Sequence, residues 1–383
     1  MDGFVMKTKN NLYNLLTLEC LISVYNKQIR VNTKNKRKIY KFEEYYSANM
    51  SYVDQILHSE NYQVAPYNIF LIRDPKYRII MSQKMNDKII NHAVASILGK
   101  VLEPCLINTN VATRKGKGTH YGIYYLKKYL NQMKSQTIYA LKFDIAKYFY
   151  NIDHKVLKRL LRKKIRDENY LKILFRIIDS TNINVNDKIK KIKEKEIIRL
   201  KESNLSDKEK RIKDIENIPS YRFGKGLPIG NMTSQIMAVY YLNDLDHFIK
   251  EKLHIKAYIR YMDDGVLLFH DKNYLKYCLK EIKKELRKYH LQLNQKTKII
   301  NVSKNGIDFL GFHFYLFHHR VIMKVRKQTK QKFCRKMKYL EKKYQCGKIS
   351  KKEVSQIIAS YHGHLKHGNT YFLQKKCFKF FEG

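Results

Sequence analysis

The stretch AYIRYMDDGVLLFH, Ala257 to His270, constrains the fold more than any other part of this chain. Two adjacent aspartates interrupt two apolar, aromatic-rich runs of strand formers. Such runs around a turn residue predict an antiparallel hairpin, and Asp264-Gly265 is the expected turn because glycine tolerates positive φ. A hairpin tip accounts for the Asp-Gly step but not for Asp263 beside it, since like charges at one bend repel. Adjacent carboxylates are best tolerated where a divalent cation neutralises them, and hard oxygen ligands suit Mg²⁺. A further ligand should come from another strand end. Asp144 in ALKFDIAKYF is that candidate, because it closes an apolar strand. Three carboxylates gathered at strand ends could hold two Mg²⁺ ions roughly 3.5–4 Å apart, the spacing for in-line phosphoryl displacement.

The remaining patterns predict an α+β fold. YNIFLIRDPKYRIIM alternates on both sides of Asp74-Pro75, which reads as a hairpin. Residues 85–103 carry a helical stripe of Ile89, Ala93, Ile97 and Val101. ATRKGKGTH follows as a basic loop. TIYALKFDIAKYFYNI begins as a strand and leads to a helix opened by Asp153, with Val156, Leu157, Leu160, Leu161 and Ile165 inward. Residues 183–217 are highly charged and poor in aromatics, either a solvated helical insertion or a mobile loop. GKGLPIGNMTSQ enters a helix whose stripe is Met237, Tyr241, Leu245 and Phe248. A later amphipathic helix is expected to bury Leu275, Leu279, Ile282 and Leu286. LQLNQKTKII and GIDFLGFHFY read as strands, and the tail 319–383 as basic and helical.

Charge narrows the partner. Lysine and arginine total 77 against 34 acids, a formal charge of +43. An excess this large repels itself in the compact state and calls for a polyanion. The 30 tyrosines and 18 phenylalanines interleaved with lysine favour nucleic acid over an anionic membrane, because rings stack on bases while cations hold phosphates. Hydrophobic residues make up 44%, which excludes a disordered tail, and 383 residues allow one large domain or two to three smaller ones. The six cysteines are scattered without a C-x-x-C pair, so neither a disulfide framework nor a zinc site is expected. MDGFVMKTKNNLYNLL lacks a signal-peptide core, and no apolar run is long enough to span a bilayer. A cytoplasmic protein with no membrane partner is the expectation.

In order and spacing, these blocks strongly resemble reverse transcriptases. They are Phe143-Asp144 to Phe149, GLPIGNMTSQ, YMDD at Tyr261 to Asp264, LNQKT and DFLGF, covering about 137–315, with RDPKYRII and Asp87 ahead of them. The resemblance implies a right-hand polymerase. Its N-terminal region and fingers would be 1–136, its palm 137–318 with the charged insertion near 183–217, and its short helical thumb 319–383. It implies RNA-directed DNA synthesis with two Mg²⁺ ions, dNTP substrates, a template RNA and a primer or cDNA. Asp144, Asp263 and Asp264 become the metal-binding, catalytic set, with Asp264 more supporting than ligating. Phe149 takes the place of the ring that blocks a ribose 2′-hydroxyl; its alternative is ordinary core. Lys76 and Arg78 match finger residues on the incoming triphosphate; their alternative is solvated hairpin charge. Lys296 matches a lysine near that triphosphate; its alternative is a strand-edge lysine. Ile229, Gly230 and Gln235 fall in the nucleotide-binding block, and Tyr261 is placed with nucleic acid. Arg114, Lys115 and Lys117 could cradle template or primer phosphates, although a basic loop with nonspecific contacts reads equally well.

One block departs from many relatives. Ile229 stands before Gly230 where a glutamine is common, and Ser234-Gln235 stands where Ser-Pro is common. With YLNDLD, RKGKGTH and GIDFLGFHF, this form resembles the enzymes of diversity-generating retroelements, where the change goes with loose base selection opposite template adenine. An amide can hydrogen-bond near the nucleotide, whereas isoleucine offers only a wall. Val239 in place of a common asparagine, and the length of the charged insertion, depart from that group. The alternative is an antiviral defence reverse transcriptase acting with a dedicated noncoding RNA. A group II intron enzyme fits less well, because about 65 residues follow the palm. A catalytically idle RNA-binding protein fits the charge but not the three aspartates. A small accessory protein or a homo-oligomer is compatible with all of these. His362, His364 and His367 in the basic tail read as a segment lying on duplex rather than as a metal site.

Overall fold

The structure is a computed structural model that describes residues 9–74, 76–183 and 185–378. The chain forms two compact units, each discontinuous in sequence. The first gathers Met1–Thr113, Ile145–Phe248 and Ile282–Leu293; the second gathers Arg114–Asp144, Ile249–Glu281 and Asn294–Gly383.

In the first unit, strands β1 (Asn68–Ile72) and β2 (Arg78–Ser82) form the expected antiparallel hairpin, with Ile72 opposite Arg78. The helix Met85–Leu102 buries Ile89, Ala93 and Ile97, but also Ile90, Val94 and Leu98. It is apolar on most sides because helix Met232–Tyr241 also packs against it. The helix His154–Arg162 is capped by Asp153, whose side chain accepts from Val156 N at 3.1 Å, and Val156, Leu157, Leu160, Leu161 and Ile165 are buried as expected. Met237, Tyr241 and Leu245 are fully buried, while Phe248 is only half-buried because the helix breaks at Leu242.

The charged segment is helical and not a loose loop. Helices Asn186–Lys201 and Lys208–Glu216 pack together, and the first packs on β1. Ile189, Leu200 and Ile215, sparse among the lysines, supply the buried side, and Glu196 is buried with them. Arg73 forks the Glu196 carboxylate at 2.8 and 2.7 Å, and Arg199 adds contacts at 3.0 and 2.6 Å.

The second unit holds a four-stranded antiparallel sheet of β3 (Tyr139–Asp144), β4 (Tyr258–Tyr261), β5 (Asp264–Phe269) and β6 (Lys298–Asn301), in the order β4-β5-β3-β6. A separate antiparallel meander contains β7 (Ile307–Phe309), β8 (Phe312–Phe317) and β9 (Arg320–Val325). Strand β9 corrects the expectation of a wholly helical tail. His318 and His319 both adopt left-handed φ, 44° and 57°, and turn the chain back so that Arg320 pairs with Phe317. Helices Lys327–Gln345, Lys351–Leu365 and Tyr371–Phe378 follow and pack on one another. The helix Thr119–Met133 packs against β4 and β9.

The helix Lys272–Arg287 buries Leu275, Cys278, Ile282 and Leu286, with Leu279 only half-buried. At 100° per residue both Cys278 and Leu279 flank the Leu275–Ile282–Leu286 stripe, and the tertiary packing covers the Cys278 side. No disulfide forms among the described residues. No helix among them is long and apolar enough to cross a membrane.

Candidate active site

Strand register brings the carboxylates together. Asp144 ends β3, Asp264 begins β5, and the two are paired directly across the ladder. Residues so paired carry their Cβ atoms about 4.5–5.5 Å apart on one face. The hairpin turn lies two residues earlier than the Asp-Gly pattern predicts. Tyr261 pairs with Asp264 and Arg260 with Gly265, so the turn residues are Met262 and Asp263. Met262 takes a left-handed φ of 56°, a conformation that costs a side-chain-bearing residue roughly 1–2 kcal/mol. Buried Arg260 donates to the Met262 carbonyl at 2.7 Å and holds the turn. Gly265 is required for a different reason. A Cβ there would lie 2.3 Å from Cζ of Phe143, whose ring covers it from the neighbouring strand.

Two residues that motif reading passes over order the acids. Asn294 Nδ2 donates to Asp144 Oδ2 at 3.1 Å, and Asn294 N donates to the Asp144 carbonyl at 2.7 Å. Asn294 Oδ1 in turn accepts from Lys296 N at 3.1 Å, so LNQKT docks on the end of β3 with the Lys296 side chain exposed. Lys142 stands two residues before Asp144 and so shares its face of the sheet. Its Nζ lies 3.3 Å from Asp264 Oδ2 and donates to the Asp308 carbonyl at 2.6 Å. The period-two signal could have found Lys142, and the position of Asn294 within LNQKT could have found that residue.

Asp264 remains under-compensated. Its Oδ1 is buried with no hydrogen-bond partner among the described residues. Burial, with the Asp144 charge adding repulsion, pushes its carboxyl up to about 6 in spite of Lys142. Among the described residues no three His, Cys, Asp or Glu side chains form a ready metal cage. Mg²⁺ rarely needs one: it takes one or two carboxylates and fills its shell with water and phosphate oxygens. The opposed Asp144–Asp264 pair, the orphaned oxygen and Asp263 on the adjoining turn fit that ion.

The other candidates of the second unit stand on other elements or at the end of β4. Arg114 is buried, Lys115 exposed, and Lys117 half-buried over the Tyr121 ring at 5.8 Å. Tyr261 ends β4, half-buried. His362 Nδ1 lies 2.6 Å from Gln374 Oε1, the His367 ring lies 3.9 Å from that of His120, and the side chain of His364 is outside the described residues.

The nucleotide-block candidates belong to the first unit, where a loop joins several of them. The Phe149 carbonyl accepts from Leu227 N at 2.8 Å, and the Ile229 carbonyl accepts from Met81 N at 2.8 Å. Gly230 has φ 134°, and a Cβ there would lie 2.8 Å from the Met81 carbonyl oxygen, so only glycine fits against β2. Phe149 and Ile229 are half-buried, as is Gln235 near the start of helix Met232–Tyr241. Arg78 opens β2, exposed, and its charge is felt at Tyr150, whose hydroxyl burial pushes up to about 12. Lys76 is exposed beside Pro75, which lies outside the described residues.

With these strands and loops in place, the family model described as "Reverse transcriptase (RNA-dependent DNA polymerase)" matches residues 72–314. The chain belongs to the reverse transcriptase family. The match includes Asp144, Asp263, Asp264 and the LNQKT block of this reverse transcriptase. The chain is also similar to the "Uncharacterized mitochondrial protein ymf11" of Marchantia polymorpha, 27% identical over 94 residues, which are 24% of this chain and 12% of that protein. Among solved structures it is similar to apo telomerase from Candida tropicalis truncated from the C-terminal domain. There the TM-score is 0.45 at 16% identity, covering 69% of this chain and 56% of that one.

Proposed function

We propose that the chain is an RNA-directed DNA polymerase that extends a primer on an RNA template. The observation that carries this reading is the register-matched pair Asp144 and Asp264, with Asp263 on the adjoining turn and one buried Asp264 oxygen left without a hydrogen-bond partner among the described residues. On this reading the fingers are 1–136, the palm 137–318 and the thumb 319–383, with β9 opening the thumb segment. The three aspartates would hold divalent cations, which when bound neutralise charge at the primer 3′-hydroxyl and at the leaving pyrophosphate. Asn294 aims the Asp144 carboxylate, and Lys142 keeps Asp264 turned toward the sheet. Lys76, Arg78 and Lys296 offer exposed cations to a triphosphate. The Phe149 ring excludes a 2′-hydroxyl by bulk, while Lys115, Lys117 and Tyr261 contact the nucleic acid.

The test is extension of a primed RNA template by the purified protein with dNTPs and Mg²⁺. Asp263→Asn should lower the rate by roughly 10³-fold, about 4 kcal/mol of transition-state stabilisation. Extension by the variant at the wild-type rate would reject the reading.

The finer reading is an error-prone enzyme of a diversity-generating retroelement, and Ile229 supports it. Its backbone is tied to β2 through Met81, so its position is fixed, and its side chain offers hydrocarbon alone. Ile229→Gln should lower misincorporation opposite template adenine in sequenced products; an unchanged error spectrum rejects this finer reading.

A further inference from the structure

The helix Thr119–Met133 carries a face that the strand-end cluster does not use. No acidic residue occurs between Glu103 and Asp144. The helix buries Gly122, Ile123, Leu126 and Leu130 against its own unit. Tyr121, Tyr125 and Tyr129, four residues apart, form a ladder with ring centroids 4.9 and 5.8 Å apart. Each rung has a lysine over it: Lys117 at 5.8 Å from Tyr121, Lys128 at 5.7 Å from Tyr125 and Lys250 at 5.7 Å from Tyr129. Beside the ladder lies a cavity of about 650 Å³ whose wall includes His120, Tyr124, Lys127, Lys128, Asn131 and His367. Among the described residues no carboxylate lines it. The His120 and His367 rings meet at 3.9 Å, and Tyr124 is 58% exposed.

Aliphatic residues would pack such a helix equally well, and they would not gather like charges. A face that combines lysines with the exposed Tyr124 ring, on a helix with no acid of its own, complements a polyanion with planar groups. A duplex offers mainly phosphates, because its bases are stacked away from side chains, so the rings select unpaired bases. We propose that this face is a docking site for single-stranded RNA, separate from the strand-end cluster. Lys127 and Lys128 hold phosphates, and a base enters the cavity against Tyr124 and the His120–His367 pair. The polymerase reading enters only in the choice of RNA as the polyanion.

The test uses the full chain and a short, unstructured, end-labelled oligoribonucleotide. The double variant Lys127→Glu/Lys128→Glu should bind it at least about tenfold more weakly, with a salt dependence shallower by about two phosphate contacts. Tyr124→Ala should weaken binding at high salt, where stacking outlasts charge, and Tyr124→Phe should restore it. Extension of a saturating, pre-annealed primer–template should stay within about twofold of wild type, which also reports that the variants fold. Photo-crosslinking of RNA to the unmutated protein should label peptides within 119–133, so the proposal does not depend on the variants. RNA affinity unchanged in both variants, or no crosslink in that helix, overturns it. Loss of binding to phosphatidylserine vesicles with RNA binding intact overturns it in favour of a membrane. A wild-type protein that binds RNA through this face but extends no primer leaves the docking site standing and removes the polymerase reading instead.

Discussion

Asp264 and Glu196 are acids withdrawn from water in a chain of net charge +43, yet the fold treats them oppositely. Glu196, in the charged helical pair, has a side chain only 4% exposed and is held by Arg73 and Arg199. Those bonds, the one from Arg73 foremost, bring its carboxyl down to about 2. Asp264, at the strand ends, keeps 28% of its side chain exposed but has a lysine at 3.3 Å and, among the described residues, one oxygen without a hydrogen-bond partner. Burial raises it to about 6. A surplus of cations in the sequence therefore does not reach every acid. Where an acid only ties two elements together, the fold satisfies it. Where the fold leaves an acid short of positive charge, room remains for a cation that the chain does not supply.

The pH dependence follows with opposite signs. Glu196 has a lowered folded-state value, so its contribution is present above the ordinary 4.5 and is lost as pH falls toward 2. Asp264 has a raised value, so its contribution is present below 3.8 and is lost as pH rises through about 6, leaving a net cost at neutral pH.

The sharpest way to break this contrast is Glu196→Ala. It leaves two arginines facing a cavity and should cost about 2–3 kcal/mol of stability at neutral pH, read from urea unfolding, with the difference from wild type shrinking as pH falls toward 2. An unchanged midpoint at pH 7 would make Glu196 an ordinary surface acid. Asn294→Ala probes the other side. It should reduce primer extension by roughly 10–100-fold while shifting stability by less than about 1 kcal/mol, because it unties Asp144 without opening a core. A loss of stability with activity retained would reassign Asn294 to the scaffold. The smallest effect is the most discriminating. Asp264→Asn should stabilise the protein in chelator by roughly 1–2 kcal/mol above pH 6, with no gain below pH 4, while extension is lost. Destabilisation at pH 7 would mean that the Lys142 pairing outweighs burial, and the two acids would then be alike.

Much of this is legible in the sequence. The alternation around Asp74 marks β1 and β2, Asp153 announces its helix, and Asp144 and Asp263-Asp264 sit at the ends of runs too apolar to be loops. Each of these is a local signal, read from side-chain period or cap chemistry within one element. The misses share a different cause. The turn is at Met262-Asp263 because Tyr261 pairs with Asp264, and Gly265 is glycine because Phe143, more than a hundred residues earlier, lies over it. Residues 183–217 look like solvated charge until Arg73 is seen closing on Glu196. Strand β9 hides in a lysine-rich tail because its strand character depends on β8 beside it.

By itself, then, the sequence determined most of the strands and helices, the large surplus of positive charge, and which aspartates stand at strand ends, because periodicity, charge and turn chemistry act over a few residues. Only the tertiary structure decided which acids are compensated and which are left short. An acid's state depends on the cations and the burial that distant parts of the chain bring to it, and no local pattern encodes that.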